Sequence, residues 1–477
     1  MHWTYRQITG LWLAILLAFF SVSGCTTSDT DPLYPEQRLL GRGIPTFNLD
    51  DAAEPETLAI TEPDGTLTLR KALALSLTRN PGLAANSWSI RAAEARALQE
   101  GMTPNPVLRV RVNDIGGTGE FRGIDNSEQS VRIGQIIELG GKAAKRQRAA
   151  RLEAALCGWD YETKRLDVFA GATKAFVVVL AAQKRLAAAR KMCDLAEKLL
   201  SLTSKRLQGG AGVGMDIDEA KIELGDRRIE LERAKQALSS ARGLLANHWD
   251  EKTPRFQNVS GDLENIAKIK IPAWEQVAGG IENNPDVSRW ETETRLRDAA
   301  IEREKANGIP DLKVFVGGKR SEDTGDQGYF VALEIPLPVF NRNQGAISEA
   351  RANRHKAAYE QRAAIMATAA QLRQAYQALS LSQREVKLLQ SEVLPAASAA
   401  CTALKNGALT DIKLVEARQI LFRAKMRQID ALEVFHLSLA DVERLTGQSI
   451  TNLASPPVNI HEVPAKKAPQ AKAAETK

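Results

Sequence analysis

The chain has 477 residues, of which 44% are hydrophobic, 26% charged and only 5% aromatic, with a formal net charge of +6. That length suffices for a large core, while the small charge and the lack of a basic stripe interleaved with aromatics exclude a nucleic-acid binder. Alanine-rich, charge-rich text with few aromatics favours long helices over compact mixed domains.

Residues 1–24 read as a targeting signal. Arg6 supplies a positive start, and Ile8 to Phe20 form an apolar stretch too short for a comfortable membrane span. Val22-Ser23-Gly24-Cys25 matches a bacterial lipobox, which makes the Cys25 thiol the acceptor of a diacylglycerol. Thr26 follows it, where an aspartate would retain a lipoprotein in the inner membrane, so a lipid anchor in the outer membrane is expected. No later run of 18 apolar residues is found, so no transmembrane helix is expected and any crossing must use β-strands. Three cysteines remain after the signal: Cys157, Cys193 and Cys401. An odd number argues against a disulfide framework, and Cys193 on an apolar helical seam reads as buried and inert.

After a lipidated segment at 25–66, the text is written twice. Asn80-Pro81 recurs as Asn284-Pro285, and at the same offset Pro106, Leu108, Val110 and Val112 become Pro310, Leu312, Val314 and Val316. Further on, Val131, Ala150 and Arg151 match Val331, Ala350 and Arg351; near the ends, Gly210, Glu219, Ala220 and Leu224 match Gly407, Glu416, Ala417 and Leu421. Collinear matches with small slips are what a duplicated fold leaves behind. The first copy spans 67–250 and the second 272–448, with a linker at 251–271 and a Pro/Ala/Lys-rich tail at 449–477 that reads as disordered.

Each copy reads helix, strand, strand, helix, helix. A helix at about 69–102 (copy 273–307) precedes a strand at 107–113 (copy 311–317), a Gly/Asp-rich loop at 114–126 (copy 318–327) and a second strand at 128–138 (copy 328–337). Leu108, Val110 and Val112 alternate with Arg109, Arg111 and Asn113. From 142 to 208 no proline interrupts a helical pattern that would extend about 100 Å at ~1.5 Å per residue. Its later part carries the seam Leu186, Ala189, Cys193, Ala196, Leu200, Thr203 and Leu207, continued by Ile217, Ala220, Leu224, Leu231, Ala241 and Leu245. In the second copy Val386, Leu389, Val393, Ala396, Ala400 and Ala403 keep the same 3–4 spacing. Such seams specify helix-on-helix packing. The strands add what a coiled coil would not need. Two hairpins are too few to close a barrel, and open edges are not tolerated in lipid, so several copies must pool them.

Gln135-Ile136-Ile137-Glu138-Leu139-Gly140-Gly141-Lys142 and Pro336-Leu337-Pro338-Val339-Phe340-Asn341-Arg342-Asn343-Gln344-Gly345, set in this duplicated layout, resemble the TolC-type outer-membrane factors, specifically the CzcC-like branch of heavy-metal efflux systems. The similarity spans roughly residues 67–448. It implies a mainly α fold with a small transmembrane β part: long antiparallel helical hairpins plus four strands per chain, a homotrimer with a twelve-stranded barrel on an α-helical barrel. The loops at 114–126 and 318–327 would face outward, and segments near 26–66, 251–271 and after 448 would belt the middle. The partners implied are a periplasmic adaptor and an inner-membrane resistance–nodulation–division pump, in a Gram-negative outer membrane. The cargo implied is a divalent metal such as cobalt, zinc, cadmium, copper or silver. Efflux of drugs or solvents is the alternative, and a structural coiled-coil lipoprotein the alternative of another class.

The resemblance also names working residues. At the helical tips, Arg206, Gly210, Val213, Gly214, Gly407 and Ala408 become docking candidates. Asp216, Glu219, Lys413 and Glu416 fall at the aperture, with Lys413 standing where a second ring acid is expected; an ordinary helix N-cap is the plainer role for Asp216. In the strands, Arg109, Arg111, Arg132, Lys313 and Glu334 should face a water-filled lumen, opposite an apolar set facing lipid. The histidines His248, His355 and His436 are scattered, with no HxxxH or CxxC spacing, so neither a metal site nor a cofactor is expected. No nucleophile–base grouping or phosphate loop marks an enzyme.

Overall fold

Two covalent signals, a proline after an asparagine and a glycine pair after a strand, set where the elements begin. The computed structural model describes residues 34–47, 60–210, 214–264, 269–406 and 411–453. Cys25, Val213, Gly407 and Ala408 lie outside them, as does the side chain of Lys413. A short strand β1 (Thr66–Thr68) leads into α1 (Leu69–Arg79) and α2 (Pro81–Glu100). The sequence expectation of one helix over 69–102 is corrected here. Asn80 leaves the helical region at φ −66°, ψ 119°, its side chain accepts from the Leu83 N–H, and Pro81 opens the next helix. A proline lacks the N–H an uninterrupted helix would need, and at the first helical position that loss is harmless. Asn284 repeats the arrangement before α6, accepting from Asp286 N at 2.7 Å.

The first hairpin is β2 (Val107–Asn113) and β3 (Glu128–Ile137). Next come α3 (Lys142–Gln208), 67 residues without interruption, and α4 (Gly214–Ala246). A strand β4 (Asn258–Ser260) follows, then α5 (Trp274–Gly279) and α6 (Pro285–Asn307). The second hairpin is β5 (Leu312–Ser321) and β6 (Gln327–Glu334), after which α7 (Gln344–Leu388), α8 (Leu394–Asn406), α9 (Asp411–Thr446) and α10 (Ile450–Leu453) complete the described chain. The second loop is shorter than the expected 318–327. The ladder still pairs Arg320 with Gln327, and β5 runs to Ser321, leaving residues 322–326 as the turn. Order also runs past residue 448: Ile450 and Leu453 of α10 are buried.

The helices form one layer. Near the hairpins α2, α3, α6 and α7 pack in that order; away from them α4, α3, α9 and then α7–α8 do so. Seam residues Cys193, Ala196 and Leu224 bury together, flanked by Leu200 and Leu231, as the heptad spacing requires. The seam of the second copy departs from expectation. A π-helical turn at Leu389–Val393 inserts an extra residue before Pro395, a position whose missing N–H frees the carbonyl four residues earlier. The register slips by one, so Ala397 is buried while Val393, Ala396 and Ala400 are exposed.

The middle of the layer carries the main core: Phe176, Val179, Leu180, Leu245, Trp249, Phe256, Leu379 and Phe435 all lie in one buried cluster. By length and composition α3 is apolar enough to cross a membrane, contrary to the expectation that no such stretch exists. That window is over half buried inside the fold, which makes it a core helix. Outlying segments are laced onto it. β1 pairs in parallel with β4, a contact between residues far apart in sequence. The Glu62 carboxylate accepts from Trp249 Nε1 and from the N–H groups of Arg255 and Phe256. The segment Tyr34–Phe47 lies along α3, where Arg165 donates to Leu40 O at 2.9 Å and to Arg38 O at 3.3 Å, and Glu162 accepts from Arg38 N at 2.7 Å.

Two histidines sit in this region. Burial holds His248 below the usual 6.5, assisted by Lys164; burial likewise lowers His436, against the opposing pull of Leu263 O and Asp262. A folded-state value below the unfolded one means that only the unfolded chain takes up the proton just below pH 6.5. Stability is therefore complete above about pH 7 and declines as pH falls from there toward the folded values. A melting series from about pH 8 to about pH 5.5 should show the midpoint falling, with H248Q/H436Q giving a flatter profile. Equal slopes for both proteins would remove the histidines from the account.

Candidate functional site: a two-faced sheet and the helical tips

The sheet is built from alternation. Its order is β2-β3-β5-β6, antiparallel throughout, so the two hairpins of one chain lie side by side and β2 and β6 form its edges. Residues opposite one another across a ladder share a face. Arg109 faces Arg132, Arg132 faces Gly317, and Lys313 faces Glu334; Arg111 lies two residues from Arg109 and opposite Ser130. All five residues expected to line a lumen thus share one face. The other face collects Leu108, Val110, Val112, Val131, Ile133, Val314, Val316, Tyr329, Val331 and Leu333. Val110 is 65% and Val331 71% exposed, an apolar surface left uncovered among the described residues.

On the charged face, Lys313 pairs with Glu334 at 2.7 Å and Lys319 with Glu128 at 3.1 Å. Phe315 lies over Gly134, where a Cβ would approach its ring to 2.6 Å, and the Arg132 guanidinium stacks on that ring at 4.9 Å. Glycine opposite an aromatic is what lets the ring lie flat on the strand. Neither Phe315 nor Gly134 was singled out from the sequence; a Gly in mid-strand is the signal that marks such a close approach.

The two motifs are corners joining sheet to helix. Gly140 and Gly141 take φ of 71° and 67°, a backbone open to glycine, and turn β3 into α3. Arg146 then binds the Glu138 carboxylate through two nitrogens at 2.5 and 3.0 Å and reaches Glu100 at 3.3 Å. Lys142 meets Asp311 at 2.6 Å, tying the start of α3 to the start of the second hairpin. In the second motif Asn343 adopts φ 62°, and its amide donates to the Glu304 carbonyl at 2.8 Å and carboxylate at 2.9 Å.

At the far end, α3 stops where Gly209 N donates to Lys205 O and Gly210 N to Leu207 O, leaving Arg206 exposed. Gly214 is the first described residue of α4, and Asp216 lies within its first turn. Its carboxylate thus complements the positive end of the helix dipole from inside the helix, and the expectation of an N-cap in front of it is corrected. Gln419 of α9 donates to Glu223 of α4 at 2.9 Å, a bond between the two helices that flank α3. Glu416 and Glu219, each about one turn nearer the tip, are both exposed. Arg227 bridges Glu223 and Glu230 just above them. Among the described residues no group of three or more His, Cys, Asp or Glu is placed to hold a metal ion.

Comparison with known proteins bears on this arrangement. The family model described as outer membrane efflux protein matches residues 72–249 and 280–448. The cobalt-zinc-cadmium resistance protein CzcC of Cupriavidus metallidurans is 29% identical over 391 residues, covering 81% of this chain and 91% of that protein. The nickel-cobalt-cadmium resistance protein NccC of Alcaligenes xylosoxydans xylosoxydans is 25% identical, over 61% of this chain and 64% of that one. Among solved structures, CusC, described by its conformational changes on folding and transmembrane channel formation, superposes with a TM-score of 0.67 at 14% identity, covering 80% of this chain and 92% of CusC.

Proposed function

From the premise that the chain belongs to the outer membrane efflux protein family, we propose that three copies pool their sheets into one twelve-stranded barrel and conduct divalent metal ions out of the cell. The observation that carries this reading is the sheet itself: four strands with an apolar face, a charged face and two unpaired edges. Open edges are costly in lipid, and β6 of one copy against β2 of the next removes every edge. The charged face then lines the pore, the apolar face meets lipid, and the helical layer extends the duct into the periplasm. The metal cargo draws its support from the resistance proteins that the chain resembles, whose names specify cobalt, zinc, cadmium and nickel. A duct need not bind what it passes; selection of the ion falls to an inner-membrane pump of the resistance–nodulation–division type and a periplasmic adaptor. A diacylglycerol on Cys25 would tether the chain to the same membrane.

The tips supply docking and closure. Arg206, Gly210, Val213, Gly214, Gly407 and Ala408 form the adaptor contact, and Asp216, Glu219, Lys413 and Glu416 the aperture. Three copies of each carboxylate around one axis make a sign-selective mouth. Deleting the protein in its host should sensitise growth to cobalt, zinc or cadmium; sensitivity to organic compounds alone would replace the metal cargo with a drug cargo. For the mouth, D216A/E416A should raise the resting conductance of reconstituted channels, and an unchanged conductance would remove these acids from closure.

A further inference from the structure

The inner wall of a metal-ion duct would be expected to carry an excess of acids, and this one carries an excess of cations. The inference rests on the charged face being that wall. Within the strands that face carries five cations, Arg109, Arg111, Arg132, Lys313 and Lys319, and two acids, Glu128 and Glu334. Both acids are taken by lysines, Glu334 by Lys313 and Glu128 by Lys319. Among the described residues no carboxylate lies within ion-pair distance of Arg109, Arg111 or Arg132. Arg109 and Arg132 are direct cross-strand partners, a juxtaposition of like charges that weakens a ladder unless something neutralises it. Arg132 uses the flat of its guanidinium on Phe315, which leaves its N–H edge open. Arg109, Arg132, Lys313, Phe315, Gly134 and Glu334 line a concavity of about 330 Å³.

We propose that this concavity binds small inorganic anions, and that the barrel concentrates anions along its wall so that metal ions leave accompanied by them. The recognising chemistry is the planar guanidinium fork, which matches an oxyanion such as phosphate through two parallel hydrogen bonds and attracts chloride less specifically. The anion neutralises the Arg109–Arg132 pair, and the copies of the site around one axis make a ring of positive potential. A cation passing with its counter-ions meets no net barrier there, whereas a bare cation does.

The test uses the full-length protein reconstituted in planar bilayers under a potassium chloride gradient. Chloride permeability is expected to exceed that of potassium, more strongly at low ionic strength where screening weakens. R109S/R132S should lower the chloride-to-potassium ratio by about threefold or more, while R109K/R132K keeps the charge and most of the ratio. Inorganic phosphate should reduce the current of the unsubstituted channel and have less effect on R109S/R132S and on R109K/R132K, since lysine lacks the fork. Potassium preference in the unsubstituted channel, a ratio unmoved by R109S/R132S, or a current indifferent to phosphate would each overturn the proposal. If R109S/R132S does not assemble, the phosphate sensitivity of the unsubstituted channel and of R109K/R132K decides. A protein that forms no pore at all would instead sink the barrel reading and this one with it.

Discussion

R165M is expected to cost about 3–5 kcal/mol and to release the segment Tyr34–Phe47 from the helical layer. Arg165 is 1% exposed, and its guanidinium holds Glu162 through Nε at 2.8 Å and Nη2 at 2.7 Å while capping the carbonyls of Leu40 and Arg38. Methionine fills similar volume but donates nothing. It leaves Glu162 buried without its cation and two strap carbonyls without a donor, and an uncompensated buried charge is among the most damaging defects a fold can carry. The loss should appear as a lower melting temperature and as rapid proteolysis between residues 34 and 47. E162L/R165M removes both charges together and should recover much of the melting temperature, because an apolar pair of similar size avoids the unpaired charge. The strap would still be loosened, since Glu162 also accepts from Arg38 N. A single variant that melts and resists protease like the parent would show that the strap is held elsewhere.

V331K and A332K are neighbours in β6 and should behave oppositely. Val331 lies opposite Val316 on the apolar face, and Ala332 opposite Phe315 on the charged face. In the middle of a strand facing lipid, a lysine costs about 2–4 kcal/mol at the membrane midplane, whereas one facing water is close to neutral. V331K is expected to abolish recovery of assembled protein from outer membranes, and A332K to leave it nearly intact. Equal recovery of the two would mean that neither face meets lipid and would remove the barrel. The comparison depends on register alone, so it is insensitive to the rest of the chain.

Alternation and the absence of proline made the hairpins and the long helix legible. Leu108, Val110 and Val112 against Arg109 and Arg111 is a period of two that only a strand satisfies, and β2 occupies the residues that pattern predicts. The uninterrupted span from 142 to 208 became α3 for the same kind of reason. The luminal candidates Arg109, Arg111, Arg132, Lys313 and Glu334 share a face because parity within each strand fixes it once the register is known. What escaped were features that depend on partners distant in sequence. β1 and β4 are three residues each, too short to show a period, and exist because they pair with one another. Glu162 and Arg165 have the spacing of three common to helix-surface ion pairs, and their burial follows from the strap that covers them. Asn80-Pro81 is the capping asparagine and first-turn proline of a helix start, and it divides α1 from α2 although a helical pattern continues on either side.

The strand order β2-β3-β5-β6 bears on how such a pore could be made. Every new backbone hydrogen bond between copies in the proposed ring joins the last strand of one to the first strand of another, a head-to-tail contact that repeats until rotation brings it back on itself. One copy, or two, would expose a raw strand edge to hydrocarbon. If the ring forms as proposed, entry into the bilayer would coincide with recruitment of the final copy, and a half-built ring would belong in water or on a chaperone rather than in the membrane.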